Sequence, residues 1–176
     1  MKKYIVIGLI SILFFQTLST KSTNVLIPEE AIRLRVLANS NSTEDQQLKM
    51  KVSEALQSDL YMMLKDTKGI DTAREKIETN LPNLRTKVKM TLQQQNSSLS
   101  FQLDYGIHHF PKKTYKGITY PEGDYESVLV TLGKGEGDNW WCVLFPPLCI
   151  MEAEETEAKE ETEYKFFIQE LIEKYL

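Results

Sequence analysis

Thirty consecutive residues, YPEGDYESVLVTLGKGEGDNWWCVLFPPLC from Tyr120 to Cys149, constrain the fold more than any other part of this chain. They hold the strongest strand signal, a glycine-rich turn, both tryptophans, both cysteines and the Pro146-Pro147 pair. Residues 125–132 read as a strand, because β-branched and aromatic residues fill the run and polar breakers bound it. Val128, Val130 and Leu132 share one face; Ser127, Leu129 and Thr131 share the other. Gly133, Gly135 and Gly137 then end the run. Residues 140–145 are almost all apolar, which suits a strand buried on both faces. The expectation is two strands joined by a glycine-rich hairpin connection and closed by a cysteine-bounded loop.

The preceding chain supplies the rest of the layers. Residues 31–38 alternate, with Ile32, Leu34 and Val36 on one face and Arg33, Arg35 and Leu37 on the other, as in a half-buried strand. Asn39, Ser40, Asn41 and Ser42 form a turn that opens a helix. Ser42 with Asp45, or Thr43 with Gln46, can close a capping box. Leu48, Val52, Ala55, Leu56, Leu60 and Met63 then recur at helical spacing up to Lys68-Gly69. A second helix starts at Asp71-Thr72 and carries Ala73, Ile77, Leu81, Leu84, Val88 and Leu92. Pro82 predicts a break or kink near residues 80–83. Leu99, Phe101, Leu103, Tyr105 and Ile107 alternate as a strand. Lys116-Gly117 suits a tight hairpin and residues 121–124 another turn. Segregated helices and strands indicate an α+β fold: a mainly antiparallel sheet of about four to five strands, with two long helical stretches on one face and a C-terminal helix.

The ends differ from the middle. Lys2-Lys3, an apolar run over residues 4–15 and a polar stretch have the layout of a secretory signal peptide over residues 1–20. The run is shorter than the ~20 residues of a spanning helix. Cleavage and retention as an N-terminal anchor are both open, and either sets the body outside the cytoplasm. Residues 21–151 form the α+β domain. Seven glutamates between 152 and 163 make an acidic linker, and residues 164–176 an amphipathic helix. With a formal net charge of −4, no global basic field points to nucleic acid. In an exported protein the pair Cys142 and Cys149 reads first as a disulfide, with two buried thiols as the alternative.

No catalytic constellation emerges. His108 and His109 are adjacent, so in a strand they face opposite sides and share no metal. No HExxH, GxSxG or SxxK motif is present. The 133–137 glycine run lacks the helix start and Gly-Lys-Ser/Thr of a phosphate loop. Glu122, Asp124, Glu126, Glu136 and Asp138 could pair as glycosidase carboxylates, but acids in turns are ordinarily solvated. Neither a cofactor nor a metal is indicated. What remains is a binding surface. Trp140, Trp141, Phe145, Pro146, Pro147 and Leu148 concentrate apolar area in a proline-stiffened segment. Asn39, Ser40, Asn41 and Ser42 are a second candidate contact.

Two blocks, AIRLRVLANSNSTEDQQLKMKV at residues 31–52 and the 120–149 stretch, resemble the stage II sporulation protein R family of endospore-forming bacteria. The resemblance spans roughly residues 27–150 and leaves out the acidic tail. It implies an exported intercellular signal, not an enzyme, made in the forespore and sent into the space between the two septal membranes. Its implied partner is a membrane-embedded aspartic-type protease of the mother-cell membrane, which cleaves the sigma-E precursor. The alternatives are an exported envelope-polymer hydrolase using the turn carboxylates, and a structural septum or coat protein.

Overall fold

The computed structural model describes residues 30–115 and 118–148. Their elements are β1 (Ile32–Leu37), α1 (Thr43–Leu64), α2 (Ile70–Gln94), β2 (Phe101–Phe110), β3 (Lys113–Tyr115), β4 (Ile118–Tyr120), β5 (Gly123–Leu132) and β6 (Asn139–Phe145). The two-residue alternation of β1 organises them. Leu34 pairs with Val128 of β5 on one side and Cys142 of β6 on the other; Val36 pairs likewise with Val130 and Trp140. These residues share one face of the sheet. Against that face α1 and α2 bring Leu48, Val52, Leu56, Leu60, Ile77, Leu84 and Val88, all buried in one core. Each fully buried aliphatic side chain there contributes on the order of 1.5–3 kcal/mol.

Strand order is β2-β5-β1-β6, with β3-β4 as a separate two-stranded ribbon. The sheet is mixed rather than mainly antiparallel: β1 and β5 run parallel, while β2-β5 and β1-β6 are antiparallel. Parallel neighbours need a long crossover, and the two helices between β1 and β2 supply the length. The same order overturns the hairpin expected between β5 and β6, because β1 lies between them. The glycine-rich connection instead passes over the end of β1. There Gly137 N–H donates to Ala38 O at 2.9 Å and Glu136 N–H to Asn39 O at 3.2 Å.

Helix boundaries follow local chemistry. Ser42 caps α1, its hydroxyl accepting from Asp45 N–H at 3.2 Å. For α2 the cap is Gly69, at φ 83°, and the helix starts one residue before the expected Asp71. It runs through Pro82 without a break. Buried Ile77 and Leu84 anchor the turns on both sides of the proline, so packing outweighs one missing backbone hydrogen bond. Tyr115 pairs with Ile118, as a two-residue hairpin requires. The signal segment, Cys149, the acidic linker and the C-terminal helix expected from sequence lie outside the described residues.

Candidate functional site

The second face of the sheet carries no helix of the described residues. Register brings together there Arg33 and Arg35 of β1, Tyr125 and Ser127 of β5, His108 and Phe110 of β2, and Trp141 of β6. All are the off-phase residues of strands whose other face is apolar.

Arg33 sits at the centre and is 2% exposed. Its guanidinium carbon lies 3.2 Å from the Tyr125 ring centroid and 5.4 Å from those of both Phe110 and Trp141. Phe110 meets Tyr125 and Trp141 edge to face, at 5.9 and 5.7 Å between centroids. Tyr120, brought by the β3-β4 ribbon, meets Trp141 the same way at 4.7 Å. A stacked guanidinium is attracted by the ring quadrupoles and is more weakly hydrated than an ammonium, which makes arginine the cation such a box tolerates. Burial lowers the Arg33 pKa, and Tyr125 opposes that shift. The side chain stays charged, since arginine does not deprotonate in proteins. Nε and Nη1 of Arg33, and Nε1 of Trp141, are buried with no hydrogen-bond partner.

Around this centre the face is cationic. Arg35 donates from Nη1 to His109 O at 2.5 Å, and its guanidinium carbon lies 5.1 Å from the Phe110 centroid. With the Asn139 amide turned to accept, its oxygen takes Arg35 Nη2 at 2.9 Å and Nε at 3.2 Å. Lys113 Nζ lies 5.7 Å from the Trp141 centroid.

His108 links two polar neighbours on this face. Its Nδ1 is 2.8 Å from Ser127 Oγ and its Nε2 is 3.1 Å from Asp104 Oδ2. The order Ser-His-Asp is that of an acyl-transfer triad. Ser127, however, is fully buried in mid-strand, so no substrate carbonyl reaches its hydroxyl. His109 projects to the other side and pairs with Asp124 at 3.0 Å and Glu122 at 3.4 Å, all three exposed. Glu126 accepts from Tyr105 and from Arg74 of α2, so it is committed to holding helix to sheet. Among the described residues no three His, Cys, Asp or Glu side chains gather as a metal site.

The residues singled out from sequence separate into three places. Trp140 packs against the helix-side core while Trp141 joins the Arg33 cluster, so the adjacent tryptophans do face opposite sides. Phe145 is 0% and Leu148 5% exposed, and Pro146 and Pro147 are buried between them. None of these four presents side-chain surface, which places them with the core instead of on an apolar exposed loop. Cys142 is buried at the β1-β6 pairing; its suggested partner Cys149 is outside the described residues.

Asn39, Ser40, Asn41 and Ser42 form a clamp. Asn39 Nδ2 and Ser40 Oγ donate to Asp45 Oδ2 at 2.8 and 2.5 Å. Asn39 Oδ1 accepts from Lys134 N–H at 3.1 Å, and Asn41 Oδ1 from Asp138 N–H at 2.6 Å. These bonds fasten the glycine-rich connection to the β1-α1 turn. Sequence reasoning missed Arg33, Arg35, Phe110, Tyr120 and Tyr125 as a group. The available clue was two arginines in phase on a strand whose other residues are apolar.

Fold and face together define a small α+β domain, two helices on a mixed sheet, whose second face carries a cation–aromatic cluster. The chain belongs to the stage II sporulation protein R family, whose sequence profile matches residues 28–155. Stage II sporulation protein R of Bacillus subtilis (strain 168) is 43% identical over 158 residues, covering 89% of this chain and 70% of that protein. These matches give the chain a role in sporulation. No solved structure matches it.

Proposed function

We propose that this chain is an exported, non-enzymatic signal of sporulation that activates a membrane-embedded aspartic-type protease, which then processes the sigma-E precursor in the mother cell. The observation that carries this reading is family membership across the whole described domain. The full burial of Ser127 fits a protein that works by binding. The activator binds the active arrangement of the protease more tightly than the inactive one, and shifts the balance only by that difference. Trp141 and Arg35, each part-exposed on the second face of the sheet, are the contacts we assign. Trp140, Phe145, Pro146, Pro147 and Leu148 support them from the core. The Cys142–Cys149 bridge would fasten the end of β6, and signal-peptide export would deliver the domain to the space between forespore and mother cell.

The test is co-expression in a non-sporulating host of the candidate protease, its sigma-factor precursor and this chain. Cleavage should depend on this chain and on residues 1–20. Arg35→Ala should reduce cleavage with an unchanged melting temperature. Absence of cleavage with all proteins folded and correctly located would refute the activator reading.

A further inference from the structure

β2 closes the sheet on one side and, among the described residues, pairs with β5 alone. The main-chain groups along its outer side have no described strand to meet, and such an edge is a template for another strand. Edges are ordinarily blunted by shortness, lysine, proline or a bulge. β2 is ten residues long, FQLDYGIHHF, without lysine or proline, and keeps an unbroken register against β5. The opposite edge, β6, has seven residues and a register irregularity against β1. In the middle of β2 stand two residues that the domain's own packing does not explain. Ile107 is 67% exposed. Gly106 is not at positive φ, and a Cβ there would meet nothing within 4 Å. Glycine weakens a strand interior, and one placed so often marks the close approach of another backbone.

Phase decides which main-chain groups face outward. Gly133 N–H donates to Ser100 O at 2.7 Å, which turns Ser100 and the even-numbered residues after it toward β5. Leu103, Tyr105 and Ile107 then turn their N–H and C=O groups away from the sheet. A second copy laid antiparallel about Gly106 sets Tyr105 opposite Ile107 of that copy, in a hydrogen-bonded pair, on both sides of the axis. Gly106 meets Gly106 of the copy in a non-hydrogen-bonded pair, where Cα atoms approach to about 4.5 Å. Ile107 thereby gains an aromatic cross-strand neighbour. Asp104, the one acid of the strand, comes opposite His108 of the copy. These two side chains already meet at 3.1 Å within one chain, so the pairing matches their chemistry. The strand is its own complement about Gly106, which favours a second copy over a foreign strand. We propose that the protein pairs with itself through β2, antiparallel and centred on Gly106, joining two four-stranded sheets into one continuous sheet. β6, with Trp141, lies at the far edge of each half. The pairing therefore leaves the contacts assigned above free, and it stands whether or not the protein activates a protease.

The test is the mass of the full chain in sedimentation velocity over a wide range of concentration. That mass should double as the concentration rises. Ile107→Lys puts an edge-blunting charge at an exposed position, so it should raise the dissociation constant by about tenfold with an unchanged melting temperature. Gly106→Cys reads the register. Under mild oxidation it should give a disulfide joining position 106 of the two copies, since about 4.5 Å between Cα atoms suits such a bond. Asp104→Cys should not link to itself, because it lies opposite His108. Peptide mapping identifies the link and separates it from any made by Cys142 or Cys149. A chain that stays monomeric at every concentration overturns the proposal. A monomer whose Tyr105 and Ile107 amides are still protected from hydrogen exchange overturns it too, and assigns the edge to another stretch of the same chain. So does a dimer that is indifferent to Ile107→Lys and yields no link at position 106, because the copies would then meet elsewhere.

Discussion

A charged side chain at the centre of a sheet is expensive, and Arg33 is repaid by little beyond its rings. Stability alone therefore does not account for an arginine here. Apolar replacement of a buried ion by a side chain of similar volume is commonly neutral or stabilising by about 1–4 kcal/mol. Arg33→Met should accordingly match or exceed the parent in urea denaturation. A loss of several kcal/mol in Arg33→Met would mean that the guanidinium is chiefly a structural member. Phe145 gives the opposite expectation. It is fully buried in the helix-side core, so Phe145→Ala should cost roughly 3–5 kcal/mol. Activity lost in that variant would accompany lost fold and say nothing of contacts.

At the scale of elements, the connection from β5 to β6 depends on glycine for room. A Cβ on Gly137 would stand 2.2 Å from the backbone oxygen of Ser40. The Ser40 carbonyl and the short Ala38 side chain leave nothing flexible to yield, so Gly137→Ala should destabilise the domain by about 1–3 kcal/mol. Asn39→Ala should produce a smaller loss by freeing Lys134 N–H and removing one of the two hydrogen bonds to Asp45 Oδ2. Equal melting temperatures for Gly137→Ala and the parent would show that the turns shift freely. This connection also marks where sequence legibility ended. Alternation in β1, β2 and β5 and the apolar stripes of α1 and α2 were readable, because each is a local period imposed by one buried face. That β1 inserts between β5 and β6 was not readable, since strand order depends on contacts distant in sequence. The glycines look the same whether they turn a hairpin or pass beneath another loop. Pro82 misled for a related reason: propensity is local, whereas Ile77 and Leu84 are held by the far side of the core. At the site, the opposite facing of the two tryptophans was legible, but the arginine beside Trp141 needed the register of three strands.

For the whole molecule, the joint between helix layer and sheet rests partly on one carboxylate. Burial alone would raise the Glu126 pKa, but the hydrogen bonds from Arg74 and Tyr105 outweigh it and hold the carboxyl below its ordinary range. Arg74 donates from Nε and Nη2 to this group, and from Nη1 to Asp71 at 2.7 Å. The Tyr105 pKa is raised by its burial and by the same carboxylate, so it remains a donor throughout the neutral range. A carboxyl whose folded pKa is depressed stabilises the fold fully above its unfolded value, about 4.3 for glutamate. That contribution is lost as pH falls through the folded value. Asp45, held low by hydrogen bonds from Ser40 and Asn39, adds to the same acid limb from the other side of the domain. Glu126→Gln should therefore be less stable than the parent at neutral pH, with the difference shrinking as the pH falls below about 4.3. Urea unfolding across that range measures the difference directly. A gap that stays constant with pH would show that the carboxylate's ionisation contributes nothing and that the amide fails there for reasons of shape. A gap that closes would locate acid sensitivity at the helix–sheet joint, which would separate before the strands do.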